Sequence, residues 1–281
     1  MKKILITGAN SYIGTSFEKY INENYPNDYI VDTVDMIDGR WREKSFAGYD
    51  SVFHVAGIAH QKETKQNAQL YYEVNRDIAI ETAQKAKADG VKQFIFLSSM
   101  SVYGMDTGII TKETKPNPKS HYGKSKWEAE QGLYSLEDDN FKLCILRPPM
   151  VYGKGCKGNF QSVVNIVKKS PIFPNVKNKR SMVYIVNLSS FVEMCVRGKL
   201  LGIYFPQNRE YVSTLEMAKK IAEALNKKVI FSYLVGLGIK VIRVWIPKAK
   251  KAFGSLVYYD TEDFEFSYVR VENDGSFKLS V

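Results

Sequence analysis

Tyr122 and Lys126 lie four residues apart in His121-Tyr122-Gly123-Lys124-Ser125-Lys126, a spacing that puts both on one face of a helix. A phenol beside an ammonium can move a proton near neutral pH. Free tyrosine titrates near pH 10, and a cation within about 4–6 Å favours the phenolate. Ser98 and Ser99 follow the apolar run Phe94–Leu97, and from a strand end the Ser99 hydroxyl can bond the same substrate oxygen and orient it. Together Ser99, Tyr122 and Lys126 suit hydride transfer at a carbinol carbon, with Tyr122 as the acid and base.

A second set of residues suits a dinucleotide. In Thr7-Gly8-Ala9-Asn10-Ser11-Tyr12-Ile13-Gly14 a strand runs into a helix, and such a turn brings backbone amides and a helix N-terminus to a pyrophosphate. Ser11 stands where the usual spacing has its middle glycine, and it can turn the chain and cap the helix. The strand Ile30–Val34 ends at Asp35, placed to accept hydrogen bonds from an adenosine ribose and to repel a 2′-phosphate, which favours NAD over NADP. Asp32 is the rival acid, and Arg40 and Arg42 keep NADP open.

These groups need a frame. Short apolar runs at Lys3–Ile6, Ile30–Val34, Ser51–Val55, Gln93–Leu97 and Lys142–Leu146 are separated mostly by segments of helical spacing. Strands without strict alternation are buried on both faces, so the pattern predicts an α/β fold, a doubly wound parallel sheet of Rossmann type. Ile13, Phe17, Tyr20 and Ile21 share one face of a first helix that ends before Pro26; Asn75 to Ala88 reads as a helix capped by Gly90, and Thr214–Leu225 as another. From Gly153 the rhythm loosens, with Pro171, Pro174 and Pro206 breaking the chain. The expected division is residues 1–150 as the dinucleotide-binding domain, joined by part of 181–200, and 151–281 as a smaller mixed α/β substrate-binding region forming the other wall of the crevice.

The chain has 281 residues, 44% hydrophobic and 25% charged, the balance of a folded protein. Forty Lys and Arg against thirty Asp and Glu leave +10, which suits an anionic ligand. Basic residues are scattered among acids with no nucleic-acid reader motif, so no nucleic-acid partner is expected. Cys144, Cys156 and Cys195 are odd in number and distant in sequence, which argues against a disulfide framework and for a reducing cytoplasm. The apolar start Ile4-Leu5-Ile6 is too short for an export signal, and Val229 to Ile246 is broken by Gly236, Gly238, Lys240 and Arg243, against a membrane span. His54, His60 and His121 without paired cysteines leave no metal site expected, and His54 reads as a core residue bonded to backbone. Ser98 and Ser99 lie in no G-x-S-x-G elbow, against a serine hydrolase. In Ile239–Phe253, Ile239, Ile242 and Ile246 form one face, with Lys240, Arg243, Lys248, Lys250 and Lys251 around it. Packing of that face on the domain is expected in preference to a place on an anionic membrane surface.

Six segments taken in order carry a family likeness. They are Thr7-Gly8-Ala9-Asn10 with Gly14, Asp50 to Gly57, Val74-Asn75-Arg76, Leu97 to Gly104, Tyr122 to Lys126, and Leu146-Arg147-Pro148-Pro149-Met150-Val151-Tyr152-Gly153. Over Lys3 to Leu225 the chain resembles the extended short-chain dehydrogenase/reductase family, in its NAD-dependent nucleotide-sugar epimerase and dehydratase branch. The resemblance implies that Gly8, Asn10, Ser11, Tyr12, Ile13 and Gly14 hold the NAD pyrophosphate and Asp35 the ribose. It implies that Ala56 and Gly57 form the fourth-strand edge of the cofactor pocket, with Asn75, Tyr122, Lys126 and Pro148 also at the cofactor. Ser99, Tyr103, Met150 and Arg180 fall at substrate positions, Arg180 matching an arginine that contacts the sugar-nucleotide diphosphate.

Departures narrow the reaction. Family dehydratases carry an Asp-Glu pair just after the serine position, where this chain has Met100 and Ser101, so a 4,6-dehydratase is not expected. Met150 replaces a family asparagine and Asn187 a family aspartate, both in substrate-facing territory. The expected activity is a cytoplasmic, homodimeric, NAD-dependent UDP-hexose 4-epimerase working through a transient 4-keto sugar. An NAD(P)H-dependent nucleotide 4-keto-sugar reductase uses the same trio and stays open. A non-catalytic NAD sensor is the third reading; it would keep Asp35 and the glycine turn but lose Tyr122 or Lys126, both of which are present.

Overall fold

Runs that bury both faces line up here in one parallel sheet. The computed structural model describes residues 1–59, 61–242, 247–259, 261 and 266–281, with Lys240, Ile242, Pro247 and Lys248 described in backbone alone. His60, Arg243 and Ile246, and the side chains of Lys240, Ile242 and Lys248, therefore lie outside the description. Strands β1 (Lys2–Thr7), β2 (Tyr29–Val34), β3 (Ser51–His54), β4 (Gln93–Leu97), β5 (Lys142–Leu146) and β6 (Gly202–Tyr204) stand in the order β6-β5-β4-β3-β1-β2. Every pairing is parallel. The strand order reverses at β1, between β2 and β3, which is where an open α/β sheet forms its ligand crevice. Residues 35–50 hold only the 3₁₀ turn Arg40–Arg42. The strand ahead of Ala56 is therefore the third of this sheet and not the fourth, because β2 is the edge.

The chain divides into two compact units. The first comprises 1–104, 115–148 and 188–206, and the second 105–114, 149–187 and 207–281. In the first, Leu5, Val52, Phe94 and Ile145 form a buried layer with Ala79, Ala83 and Ala86 of helix α2 (Ile78–Ala88). Those alanines let the helix approach the sheet closely. Helix α1 (Tyr12–Asn24) buries Gly14, Phe17, Tyr20 and Ile21. The helix expected from Asn75 begins earlier, at Ala68, and is wound as a π turn over Glu73–Asp77 before α2. Asn75 is fully buried in that turn and bonds the backbone of Ile58 through both its amide atoms, at 2.8 and 3.1 Å. Cys144 and Cys195, far apart in sequence, meet in this core as hydrogen-bonded free thiols.

The second unit is built from parallel strand pairs: Met150–Tyr152 with Met182–Tyr184, Gly108–Ile110 with Leu256–Tyr258, and Ile172–Pro174 with Ile230–Ser232. Helix Thr214–Ala224 starts on a capping box of Ser213 and Glu216. In the segment read as one helix over 239–253, the described residues are helical over Tyr233–Ile242 and over Pro247–Phe253.

Asn187, expected to face substrate, is fully buried instead. Its Nδ2 donates to Asn208 Oδ1 at 3.0 Å and Val271 O at 2.9 Å, while its Oδ1 accepts from the amides of Arg270 and Val271 at 2.9 and 3.0 Å. An amide satisfies both ends of this knot, whereas a carboxylate would set a second oxygen against two acceptors. Asn187→Asp should lower the unfolding free energy by about 1–3 kcal/mol, read by urea denaturation of the full chain at neutral pH. An unchanged midpoint would contradict this account of the knot.

Candidate active site

The strand-to-helix turn after β1 is shaped for glycine. Gly8 has φ +111°, and a Cβ there would lie 2.8 Å from the amide nitrogen of Ala56. At Gly14 a Cβ would come within 2.7 Å of Ser11 Oγ and 3.1 Å of Ile6 Cγ2, so this glycine lets α1 start hard against the sheet. Ser11 caps the helix, its Oγ accepting from Gly14 N at 3.1 Å. The amides of Gly8 and Ala9 donate to Val34 O at 2.9 and 3.0 Å and hold the turn against β2. Asn10, at φ 64°, then turns the chain toward Tyr12 and Ile13, in the helical turn whose N–H groups have no intrahelical acceptor. The glycine-shaped cradle and the helix N-terminus fit the pyrophosphate of a dinucleotide.

Asp35 is exposed at the first position beyond β2, its Oδ1 accepting from Ile37 N at 2.8 Å. Asp32 lies inside β2 opposite Leu5 and accepts from the Tyr49 hydroxyl at 2.7 Å. The arginines that would favour a 2′-phosphate already face acids. Arg40 pairs with Asp38, and Arg42 pairs with Glu81 while stacking 4.6 Å from the Trp41 ring centroid.

Strand β4 delivers Ser98 and Ser99, and helix α3 (His121–Tyr134) delivers Tyr122 and Lys126. Ser99 caps the 3₁₀ turn Met100–Tyr103, its Oγ accepting from Ser101 N at 3.1 Å, and its hydroxyl is hydrogen-bonded to the Tyr122 phenol. Pro148, buried, steadies that turn by accepting from Met100 N at 2.9 Å. Lys126 is buried, donates to Leu97 O at 2.8 Å and lies 4.6 Å from the Phe96 ring centroid. The two halves of the site meet at Ala56-Gly57. Ala56 abuts Gly8, and a Cβ on Gly57 would come 2.8 Å from Asn75 Oδ1 and 3.4 Å from Lys126 Nζ. Asn75 also donates to Ser125 Oγ at 3.1 Å, and Ser125 donates to the Tyr122 carbonyl at 3.0 Å.

Burial pushes the Tyr122 phenol above its ordinary value, the hydrogen bond with Ser99 acts the other way, and Tyr71 reinforces the rise. Burial pushes Lys126 down to about 7, with the Glu130 carboxylate opposing. The phenol's proton affinity is thus set by its burial, Ser99 and Tyr71, while one of the lysine's three donors goes to the strand end. His54 is also buried; burial and then Lys126 push it down to about 3. Its Nδ1 bonds the Thr7 hydroxyl at 2.8 Å, a side chain where a backbone partner was expected.

Two acids that carry no motif of their own support the trio. Glu63 accepts from the amides of His121 and Tyr122 at 2.9 and 3.1 Å, capping α3 at the tyrosine. Glu130 is fully buried one turn beyond Lys126, bonded by Ser98 and paired with Arg147. Arg147 in turn donates to the Tyr103 hydroxyl at 2.8 Å. Tyr103, expected at the substrate, is 3% exposed and belongs to this buried network. The i, i+4 spacing of Lys126 and Glu130 was a usable signal; nothing local to Glu63 was.

In the second unit Met150 opens a strand, paired with Met182. Arg180 is nearly buried, and its Nη1 donates to the carbonyls of Lys251 and Gly254 at 2.8 and 3.0 Å. Burial lowers its proton affinity and Asp106 opposes that. The guanidinium therefore caps the C-terminal end of helix Pro247–Phe253, where cations are favoured.

Residues 4–197 match the family model described as the NAD-dependent epimerase/dehydratase family. The chain is 33% identical over 253 residues to a UDP-glucose 4-epimerase of Vibrio cholerae, covering 80% of this chain and 76% of the relative. It is 26% identical over 246 residues to an N-acetyl-alpha-D-glucosaminyl-diphospho-ditrans,octacis-undecaprenol 4-epimerase of Escherichia coli O157:H7, covering 80% and 73%. In fold it is similar to UDP-glucuronic acid 4-epimerase from Bacillus cereus, solved with NAD, at a TM-score of 0.78 and 18% identity over 99% of this chain and 95% of the other. The chain belongs to the NAD-dependent epimerase/dehydratase family, a family of enzymes that takes NAD as its cofactor.

Proposed function

We propose that this protein inverts C4 of a UDP-hexose, without net oxidation, as an NAD-dependent epimerase. The observation that carries the reading is the convergence of Ser99, Tyr122 and Lys126 beside the glycine cradle, with Met100 and Ser101 following the serine. Neither side chain can serve as the acid or base that elimination of water would require. Tyr122 takes the C4 hydroxyl proton and returns it, Ser99 orients that oxygen, and Lys126 holds the nicotinamide ribose and fixes the helix that carries the phenol. Gly8, Asn10, Ser11, Tyr12, Ile13 and Gly14 hold the pyrophosphate and Asp35 the ribose, with Ala56, Gly57, Asn75 and Pro148 lining the cofactor site. NAD, when bound, supplies the acceptor and donor for the C4 hydride. Met150 and Arg180 of the second unit serve the sugar nucleotide, Arg180 with guanidinium donors beyond those its Nη1 gives to the helix end. The three free cysteines, all buried, suit a reducing cytoplasm, and the working form is a homodimer.

A second reading keeps the chemistry and changes the carrier, to a hexose on a lipid diphosphate. It is favoured by the exposed apolar side chains of Leu234, Leu237 and Val241 on helix Tyr233–Ile242. Incubation with UDP-, dTDP- and polyprenyl-diphosphate hexoses, followed by NMR at C4, separates the two. C4 inversion with no added reductant supports an epimerase; stoichiometric NADH or NADPH consumption would instead assign a 4-keto-sugar reductase.

Tyr122→Phe should lower kcat by about 10²–10⁴-fold while leaving NAD affinity, read by fluorescence titration, close to that of the wild type. Full turnover in that variant would remove Tyr122 from the reaction.

Lys126 makes a separate prediction in stability. Its folded pKa of about 7 lies below the roughly 10.4 of an unfolded lysine, so between these values the unfolded chain binds more protons. Stability should then rise with pH across that window, by at most about 1.4 kcal/mol per pH unit from this group. Lys126→Met removes the group, so its stability relative to the wild type should be greatest below pH 7 and fall as pH approaches 10. Urea midpoints of both proteins at about pH 6 and pH 9 test this, and an equal difference at the two pH values would contradict it.

A further inference from the structure

The second unit carries an exposed apolar surface. Helix Tyr233–Ile242 carries Tyr233, Leu234, Leu237 and Val241 on adjoining positions of one face, and Leu234 is 78% and Val241 67% exposed. The opposite side is pressed onto the unit: a Cβ at Gly236 would lie 2.3 Å from the Asn175 carbonyl oxygen. Inward anchoring is completed by Phe173, whose ring stands 6.2 Å from those of Phe231 and Phe253. The outward apolar row continues onto Ile230, 66% exposed, and its strand partner Ile172, 43% exposed. A contiguous apolar face of this kind on a folded unit marks an interaction surface.

The charge around it selects the partner. From Leu225 to Tyr259 the sequence has seven Lys or Arg and no Asp or Glu. Lys228, Lys250 and Lys251 are exposed, on the segments that flank the apolar helix. Lys168 and Lys169, also exposed, end the helix Asn159–Lys169 that precedes Ile172. A second copy meeting this face by a twofold axis would set like charges together. The described part of the helix has 10 residues, about 15 Å at 1.5 Å per residue. No helix among the described residues is long and apolar enough to cross a membrane. A helix with an exposed apolar face, in a stretch of sequence from Leu225 to Tyr259 that carries cations and no acids, matches an element that lies in the plane of a lipid headgroup layer.

We propose that this face docks the protein on an anionic bilayer surface, with Leu234, Leu237 and Val241 entering the headgroup boundary and Lys228, Lys250 and Lys251 meeting lipid phosphates. The reading holds whichever carrier bears the hexose, since it depends on the surface alone.

Flotation of the full-length protein with phosphatidylcholine vesicles, with and without phosphatidylglycerol, tests it. The protein should float with the anionic vesicles, bind the neutral ones more weakly, and lose binding as salt is raised. Leu234→Ser combined with Leu237→Ser should weaken anionic-vesicle binding about tenfold or more, with NAD affinity unchanged. Lys250→Glu with Lys251→Glu, which leaves the apolar face intact, should also weaken binding and flatten its salt dependence. Absence of binding to anionic vesicles would overturn the proposal, as would binding that both double variants retain in full. Sedimentation of the leucine variant adds an independent test: conversion of a wild-type dimer to monomers would make this face a protein interface and overturn the membrane assignment.

Discussion

A buried ammonium is held on the last carbonyl of β4. Removing a lysine charge from water is costly unless the charge is neutralised or bonded, and Lys126 is supported by Leu97 O, the face of Phe96 and the carboxylate of Glu130. Glu130 is itself fixed by Ser98, from β4, and by Arg147, just beyond β5. Helix α3 is thus fastened to the ends of two neighbouring strands through charged groups that tolerate little displacement. Tyr122 rides on the same helix, one turn earlier, with its amide on Glu63. These anchors bring its phenol to Ser99, and the hydrogen bond between the two side chains completes the placement.

The second constraint is steric. Gly8 against Ala56, and Gly57 against Asn75 and Lys126, leave no room for a side chain at either glycine. The cofactor cradle and the reactive trio are therefore joined by one short piece of backbone after β3. The π turn at Glu73–Asp77 belongs to the same arrangement, because it lets the buried Asn75 reach Ile58 and Ser125 together. A regular helix there would rotate the side chain off one of its partners.

Much of this was legible in the residues. Four of the six strands, β1, β3, β4 and β5, are apolar runs largely buried on both faces, and with the half-exposed edge run of β2 their rhythm gives the parallel sheet directly. The trio was legible because i, i+4 spacing on a helix is a local fact, and the glycine turn because it must join a strand to a helix. What escaped depended on distant partners. Strand β6 has three residues, too few for a period. Tyr103 and Asn187 were placed at the substrate by position, and the partners they have here, Arg147 for one and Asn208 with Val271 for the other, are distant in sequence. Arg180 shows the same limit, with two backbone carbonyls more than seventy residues away as its partners.

The shifts at Tyr122 and Lys126 also constrain how the site is set before reaction. Burial raises the phenol and lowers the ammonium, so both effects disfavour the charge-separated pair of phenolate and ammonium. The stable resting arrangement keeps the proton on Tyr122, the acid form. Abstracting a proton from a sugar hydroxyl needs the opposite form, and Ser99, by bonding the phenol, is the resident group that pulls that way. Lys126 adds little to that bias, since burial leaves its own proton weakly held. On the proposed function, the further positive charge comes with the bound cofactor, so the base form of Tyr122 belongs to the loaded site.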